Sequence, residues 1–313
     1  MKTAVRKAAA FIITVLLVTL FVFIAFELIP GDAATAKLGT SATPEAYEAL
    51  REELGLTRPF FVRYFSWLFS FFFGDMGTSY SYGVSVRSML ASKLPITLTL
   101  TLMSFVMIII LSIPIGVLSS KYEDRAGAKA LDVLGQLTMS VPPFFLGILI
   151  TYFFGMVLRL FTPGGFVSYD VNPVRFAAYL FFPSLAIALP KAAMSIKLLK
   201  TSILSERKLD YVRTAYSRGN SSMDVMYKHV LKNAIIPVIT FLGMTLADIV
   251  AGSLVIEQVF SIPGYGRLLI TSISNRDYPV VQAIIAIIAM LVIIINLIVD
   301  VLYQVMDPRL RGN

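Results

Sequence analysis

Six stretches of this chain, at about 8–29, 96–118, 134–158, 174–198, 233–256 and 280–304, are predominantly apolar over the roughly 20 residues that carry a helix across a bilayer. None alternates strictly between apolar and polar positions as a half-buried strand would, so the pattern predicts an all-α membrane protein of about six transmembrane helices. Two of the stretches contain helix breakers. Pro142-Pro143 interrupts the third, and Pro183 and Pro190 interrupt the fourth. Such breaks are tolerated where neighbouring protein or a water-lined path re-satisfies the freed backbone groups.

Between the first two stretches lies a more polar insertion, about 31–93. Within it, Thr43-Pro44-Glu45 followed by AYEALREELGL predicts a short soluble helix with Pro44 in its first turn and Gly55 as its stop. The next segment, RPFFVRYFSWLFSFFF, is rich in rings that favour the membrane interface, and it predicts an interfacial helix. A seventh span is the alternative reading. The roughly 13 residues between Arg63 and Asp75 are too few for it, and it would invert the distribution of charge downstream.

Composition narrows the class. With 57% hydrophobic and 15% charged residues and a mean hydropathy of +0.78, the chain cannot cover a water-exposed surface with polar groups. Its basic residues are one-sided. Lys2, Arg6 and Lys7 precede the first span, Lys121, Arg125 and Lys129 follow the second, and Arg309 and Arg311 end the chain. Lys200, Arg207, Lys208, Arg213, Arg218, Lys228 and Lys232 crowd the loop after the fourth span, which predicts that this side and both termini are cytoplasmic. In the insertion, six bases are matched by six acids. The net charge of +8 therefore follows from topology and gives no reason to expect nucleic acid as a partner, despite a helix–turn–helix look over 209–233. The first apolar run, about Ala8 to Phe26, is too long for a signal-peptide core, and Ala34-Thr35-Ala36 lies some ten residues beyond it, so the expectation is a retained span. There is no cysteine, hence no disulfide, thiolate metal site or redox motif.

The most polar loop, DYVRTAYSRGNSSMDVMYKHVLKNAIIP over 210–237, reads as two short helices separated by Gly219, which can take the positive φ that ends a helix. Ser221 and Asp224 have the spacing of a capping box. The loop resembles the EAA loop of importer-type ATP-binding-cassette permeases, whose pattern is Glu-Ala-Ala-x3-Gly-x9-Ile-x-Leu-Pro. Ala215, Gly219 and Leu231 match it, while Arg213, Thr214, His229 and Lys232 stand where it has Glu, Ala, Ile and Pro. Arg-Thr-Ala before the glycine and His-x-Leu-Lys-Asn-Ala after it are similar to the dipeptide, oligopeptide and nickel branch. So are LGLTRPFFVRYFSWL, GDMGTSY, KLPITLTL, MSVPPFFLGILI, EQVFSIPGYGRLLITSISNRDYPVVQA and the terminal MDPRLR, which extend the resemblance over roughly 50–313.

That resemblance implies a type I importer-like permease, a single transmembrane domain over 1–313 with an extracytoplasmic insertion at 31–93 and a cytoplasmic coupling loop at 205–232. It implies a multi-pass protein of a bacterial or archaeal plasma membrane. The partners it implies are a second homologous permease, two cytoplasmic ATPase subunits and an extracytoplasmic substrate-binding protein, all working in lipid. Peptides are the first-choice substrate, with nickel chelates and oligosaccharides as alternatives, and a secondary transporter is the rival class. Tyr211, Arg213, Thr214, Ala215 and Gly219 are the residues it assigns to coupling with the ATPases. ATP and magnesium are expected on those subunits, because this chain has no phosphate-binding G-x4-GK[ST] and its nearest glycine-rich segment, Pro263 to Arg267, reads as an external turn. No catalytic, cofactor or metal residues are assigned, and the single histidine, His229, cannot form a zinc site with another.

Ionisable residues inside apolar spans are costly and face protein or an aqueous path. Asp248, about fifteen residues and roughly 22 Å into the fifth span, is the foremost. It reads as lining a translocation path, as the structural partner of another span, or as lying beyond the true span boundary. Lys191 and Asp300 are weaker candidates that can snorkel or cap near an interface. Met139 and Phe144 are the other candidate path residues, although Met139, Met156 and Met244 also suit ordinary packing. Gly147, Gly155, Gly243 and Gly252 are expected where helices approach closely.

Overall fold

In the computed structural model the described residues are 2–28, 34, 38 and 42–306, with side chains described over 9–25, at 34 and 38, and over 42–299. In chain order the helices are α1 (Lys2–Leu28), α2 (Pro44–Glu53), α3 (Phe60–Phe72), α4 (Val86–Lys121), α5 (Ala126–Ser140) and α6 (Pro143–Ile150), which runs into a π-helical stretch, Thr151–Val157. Then follow α7 (Pro173–Glu206), α8 (Asp210–Ser217), α9 (Ser222–Asp224), a second π-helical stretch (Val225–Val230), α10 (Leu231–Ala234), α11 (Ile236–Val259), α12 (Tyr265–Ser274) and α13 (Tyr278–Met306). Among the described residues the β pairing is one isolated bridge, Thr78 with Ser85.

Four helices, α4, α7, α11 and α13, are long and apolar enough to cross a membrane, while the apolar stretch Ala9–Ala25 of α1 is shorter. The third stretch, which Pro142-Pro143 interrupts, is a pair of helices, α5 and the 143–157 helix, bent by 107°. Two adjacent prolines cause this. They remove consecutive backbone donors and force the residues before them to be extended, with Val141 at ψ 126° and Pro142 at ψ 142°. Pro183 and Pro190, each isolated, stay inside α7. Helix α4 begins at Val86 and carries Arg87 and Lys93, well before its apolar segment.

The chain packs as two compact units, Met1–Thr97 with Pro263–Ile293, and Leu98–Ile262 with Ile294–Asn313. In the first unit the Thr43 hydroxyl caps α2 by accepting from the Ala46 N–H at 3.3 Å, and Gly55 ends the turn at φ +67°. Helix α3 lies against α1 through Phe23, Tyr64 and Leu68, and the Tyr64 hydroxyl donates to Leu16 O at 3.0 Å. On its opposite face Phe61, Phe65, Phe69 and Phe72 are exposed, as suits lipid contact. Thirteen residues rise only about 20 Å, too little to span the bilayer core.

In the second unit α7 is central, packing against α5, α6 and α11. Glycines set the spacing there. A Cβ on Gly116 would stand 2.8 Å from Leu199, one on Gly147 3.1 Å from Phe260, and one on Gly243 2.4 Å from Val299. One on Gly155 would stand 2.9 Å from Pro163, within a loop return. Gly252 departs from the expectation, since a Cβ there meets nothing within 4 Å.

Candidate coupling loop and membrane passage

The polar loop forms as its local signals require. Leu209 enters α8 from an extended conformation, Asp210 occupies the first turn where the helix dipole favours an acid, and Gly219 ends it at φ +83°. The Asn220 side chain donates to Ala215 O at 3.0 Å, satisfying a terminal carbonyl. Ser221 starts the next helix by accepting from the Asp224 N–H at 3.1 Å, and its hydroxyl donates to the Asp224 carboxylate at 2.6 Å. The reciprocal bond thus runs between side chains. Asp is a methylene shorter than the Glu of the usual box. Lys228 also bonds Asp224, at 2.5 Å, and with Ser221 it holds this carboxyl below the usual carboxylate range.

Helix α8 is two-faced. Val212 and Ala215 are buried, with α8 packed on the π-helical Val225–Val230, while Tyr211, Arg213, Thr214, Tyr216 and Gly219 are exposed. Ala215 therefore holds the helix down and presents no surface. Tyr211 has a second role, since its hydroxyl donates to the Glu206 carboxylate at the end of α7 and accepts from Asn233 Nδ2 at 3.1 Å. Desolvation, followed by the bond to Glu206, pushes this phenol above its ordinary range. Glu206, Asn220 and Asn233 were not singled out from sequence, because each acts through a residue distant from it or through backbone geometry. Arg213 makes only a loose pair with Asp210 at 3.7 Å, both largely exposed. The outer face adds Leu209, Met223 and Tyr227, each about half exposed, to Lys208, Arg213 and Arg218. His229 is half-buried on the π-helical stretch.

The candidate path residues fall at different places in the second unit. Asp248, the thirteenth residue of α11 and about 18 Å from its start, pairs with Lys191 of α7 at 2.8 Å. Two residues flagged separately for being ionisable within apolar spans are thus partners. Met139 lines an open cleft of about 360 Å³ between α4, α5 and α7, where Asp132 and Lys200 pair at 2.6 Å. Phe144 sits on α6, about half exposed, and neither it nor Asp248 lines that cleft. The Asp300 side chain lies outside the described residues.

Residues 112–312 match the family model of the binding-protein-dependent transport system inner membrane component, and residues 1–101 match that of its N-terminal region. The chain belongs to this permease family. It is 35% identical over 306 residues to a putative peptide transport system permease protein of Brucella abortus, covering 98% of both chains. It is 32% identical to a probable peptide ABC transporter permease protein of Sinorhizobium fredii, again over 98% of each. The oligopeptide transport system permease protein AppB of Bacillus subtilis is 32% identical over 310 residues, 98% of each. Members of the family are integral inner-membrane components of ATP-binding-cassette importers, working with other subunits, and the permease is not itself an ATPase.

Proposed function

We propose that this chain is one permease of a peptide importer. The observation that carries the reading is likeness over nearly the whole length to chains named for peptide and oligopeptide transport. With a second homologous permease it forms the membrane path. Two cytoplasmic ATPase subunits bind ATP and magnesium, and an extracytoplasmic binding protein delivers the substrate. The excess of lysine and arginine around 197–232 supports a cytoplasmic position for that loop and for both termini.

The coupling loop is 205–232, and its work is mechanical. A short helix held by Val212 and Ala215 and braced through Tyr211 to Glu206 and Asn233 moves as one piece with the end of α7. Arg213, Thr214 and Tyr216 face outward, free to seat in a groove of an ATPase subunit. Closure of the ATPases then tilts α7, the membrane path opens toward the binding protein, and hydrolysis resets it. Asp248, Met139 and Phe144 are the candidate contacts along the path.

The test is uptake in proteoliposomes holding the complete assembly and its binding protein. ATP-dependent accumulation of labelled di- or oligopeptide is expected. Accumulation of a nickel chelate or an oligosaccharide, with no peptide of any length taken up, overturns the peptide assignment.

A further inference from the structure

Lys191 and Asp248 meet at 2.8 Å, yet their side chains keep 31% and 62% of their surface uncovered. Both sit within long apolar helices, where a charge facing lipid is expensive. The uncovered side of the pair therefore faces water or protein.

The rest of the α11 face continues from the pair. Met244, Asp248, Gly252 and Val255 are exposed at spacings of four, four and three residues, which places them in one stripe along the helix. Open space fronts it at Gly252, where a Cβ would touch nothing. On α7, Met194 is exposed three residues beyond Lys191, on the same side of its helix. A stripe turned to lipid would be apolar throughout. This one sets a single plus–minus pair beside two methionines, whose unbranched side chains adapt to varied shapes.

We propose that the Lys191–Asp248 pair lines a water-filled passage and receives the two charged ends of a zwitterionic substrate, the α-ammonium at Asp248 and the α-carboxylate at Lys191. This rests on the peptide reading above. Arrival of the zwitterion exchanges one internal ion pair for two pairs with substrate, so neither protein charge is left uncompensated. The four-carbon stem of Lys191 lets the pair open. Peptide side chains, which vary, meet Met194 and Met244. Recognition of the termini alone explains how one passage accepts many sequences.

The chain has no cysteine, so a cysteine at Val255 is its only thiol. In the complete assembly in proteoliposomes, the rate of labelling by a cationic and an anionic methanethiosulfonate is measured on this subunit. Both reagents are expected to react. Asp248→Asn should shift the cation-to-anion rate ratio down, and Lys191→Gln should shift it up, each by about tenfold, the effect of about 1.4 kcal/mol of local potential. With the pair intact, alanyl-alanine supplied with ATP and binding protein should slow labelling, while its N-acetylated, C-amidated form should not. No reaction with either reagent, or a ratio that does not move, overturns the passage. If alanyl-alanine is imported but protects no better than the capped form, recognition of termini is wrong. If labelling behaves as expected but no peptide is imported, the peptide reading fails, and the zwitterion assignment with it, while the aqueous passage stands.

Discussion

The backbone N–H of Tyr80 donates to Asp277 Oδ1 at 2.9 Å, joining residues 197 positions apart. The Asp277 carboxylate is fully buried and also accepts from the Ser81 N–H at 3.3 Å and from the Ser79 hydroxyl. It clamps the turn before α4 to the turn between α12 and α13. Asp277→Asn sets an amide donor among three donors. Hydrogen bonds to a buried charged group are worth about 1.5–3 kcal/mol each, so a loss of about 2–3 kcal/mol is expected. Protease should then cut within 77–85 of the variant far faster than in the parent, whereas Asp75→Asn, which weakens only an exposed bond to the Gly77 N–H, should change little. Equal cleavage of Asp277→Asn and parent would remove the clamp.

Tyr80 gives that clamp a pH limit. Burial, reinforced by the Asp277 charge, raises its pKa from 10.0 to about 12. The folded chain thus holds this proton more tightly than the unfolded one. The contribution is complete below pH 10 and is lost as pH rises through about 12. In a difference spectrum at about 295 nm between parent and Tyr80→Phe, the tyrosinate signal should appear near pH 12. A midpoint near 10 would show an exposed ring.

Glycines predict opposite outcomes at two positions of α11. A Cβ on Gly243 would lie 2.4 Å from Val299 Cγ1 and 2.9 Å from Cγ2, and a β-branched side chain has no flexible end to move aside. Gly243→Ala should lower the melting temperature in detergent, through overpacking of about 1–3 kcal/mol, and Val299→Ala should restore part of it. Gly252→Ala, facing open space, should be neutral or slightly stabilising. Equal melting temperatures for the two variants would deny the close approach.

These cases separate what the sequence carried from what it could not. Long apolar runs located α4, α7, α11 and α13, and Pro142-Pro143 marked the break between α5 and α6, though not its angle of 107°. Local chemistry also announced the start of α2 at Pro44, the Ser221 cap and the positive φ of Gly219. Close packing did not read out, because Gly243 and Gly252 look alike until a neighbouring helix is placed. Charge was half legible. Lys191 and Asp248 each stood out as costly, but only their helices' juxtaposition pairs them. Asp277, in the turn between α12 and α13, gave no signal at all before Ser79, Tyr80 and Ser81 were brought to it.

Gly219 tests the lever. At φ +83° with open space around its Cα, replacement meets backbone strain and no collision. Gly219→Val should cost about 1–2 kcal/mol or re-aim α8. Insertion and assembly should persist, while uptake and substrate-stimulated ATPase fall together. Gly219→Asn, which tolerates the left-handed region, should remain near the parent. If valine and asparagine behave alike, the conformation of this turn does not govern coupling.

Contact with the ATPase is tested best at Ser217. Ala215 aligns with the family motif but is buried, so a cysteine there would report packing inside the loop. Ser217 is exposed at the end of α8, beside Arg218 and one turn from Arg213. In the otherwise cysteine-free chain, Ser217→Cys should form a disulfide with a cysteine placed along the groove of an ATPase subunit, and ATP should change its yield as the helix is carried with that subunit. Arg213→Glu should weaken docking through charge reversal, lowering the amount of ATPase subunit that co-purifies in low salt. Its exposure limits any effect on folding of this chain to a few tenths of a kcal/mol, so a loss of co-purification reports the interface. If Ser217→Cys crosslinks to no position on either ATPase subunit in an assembly that still imports, α8 is not the docking helix.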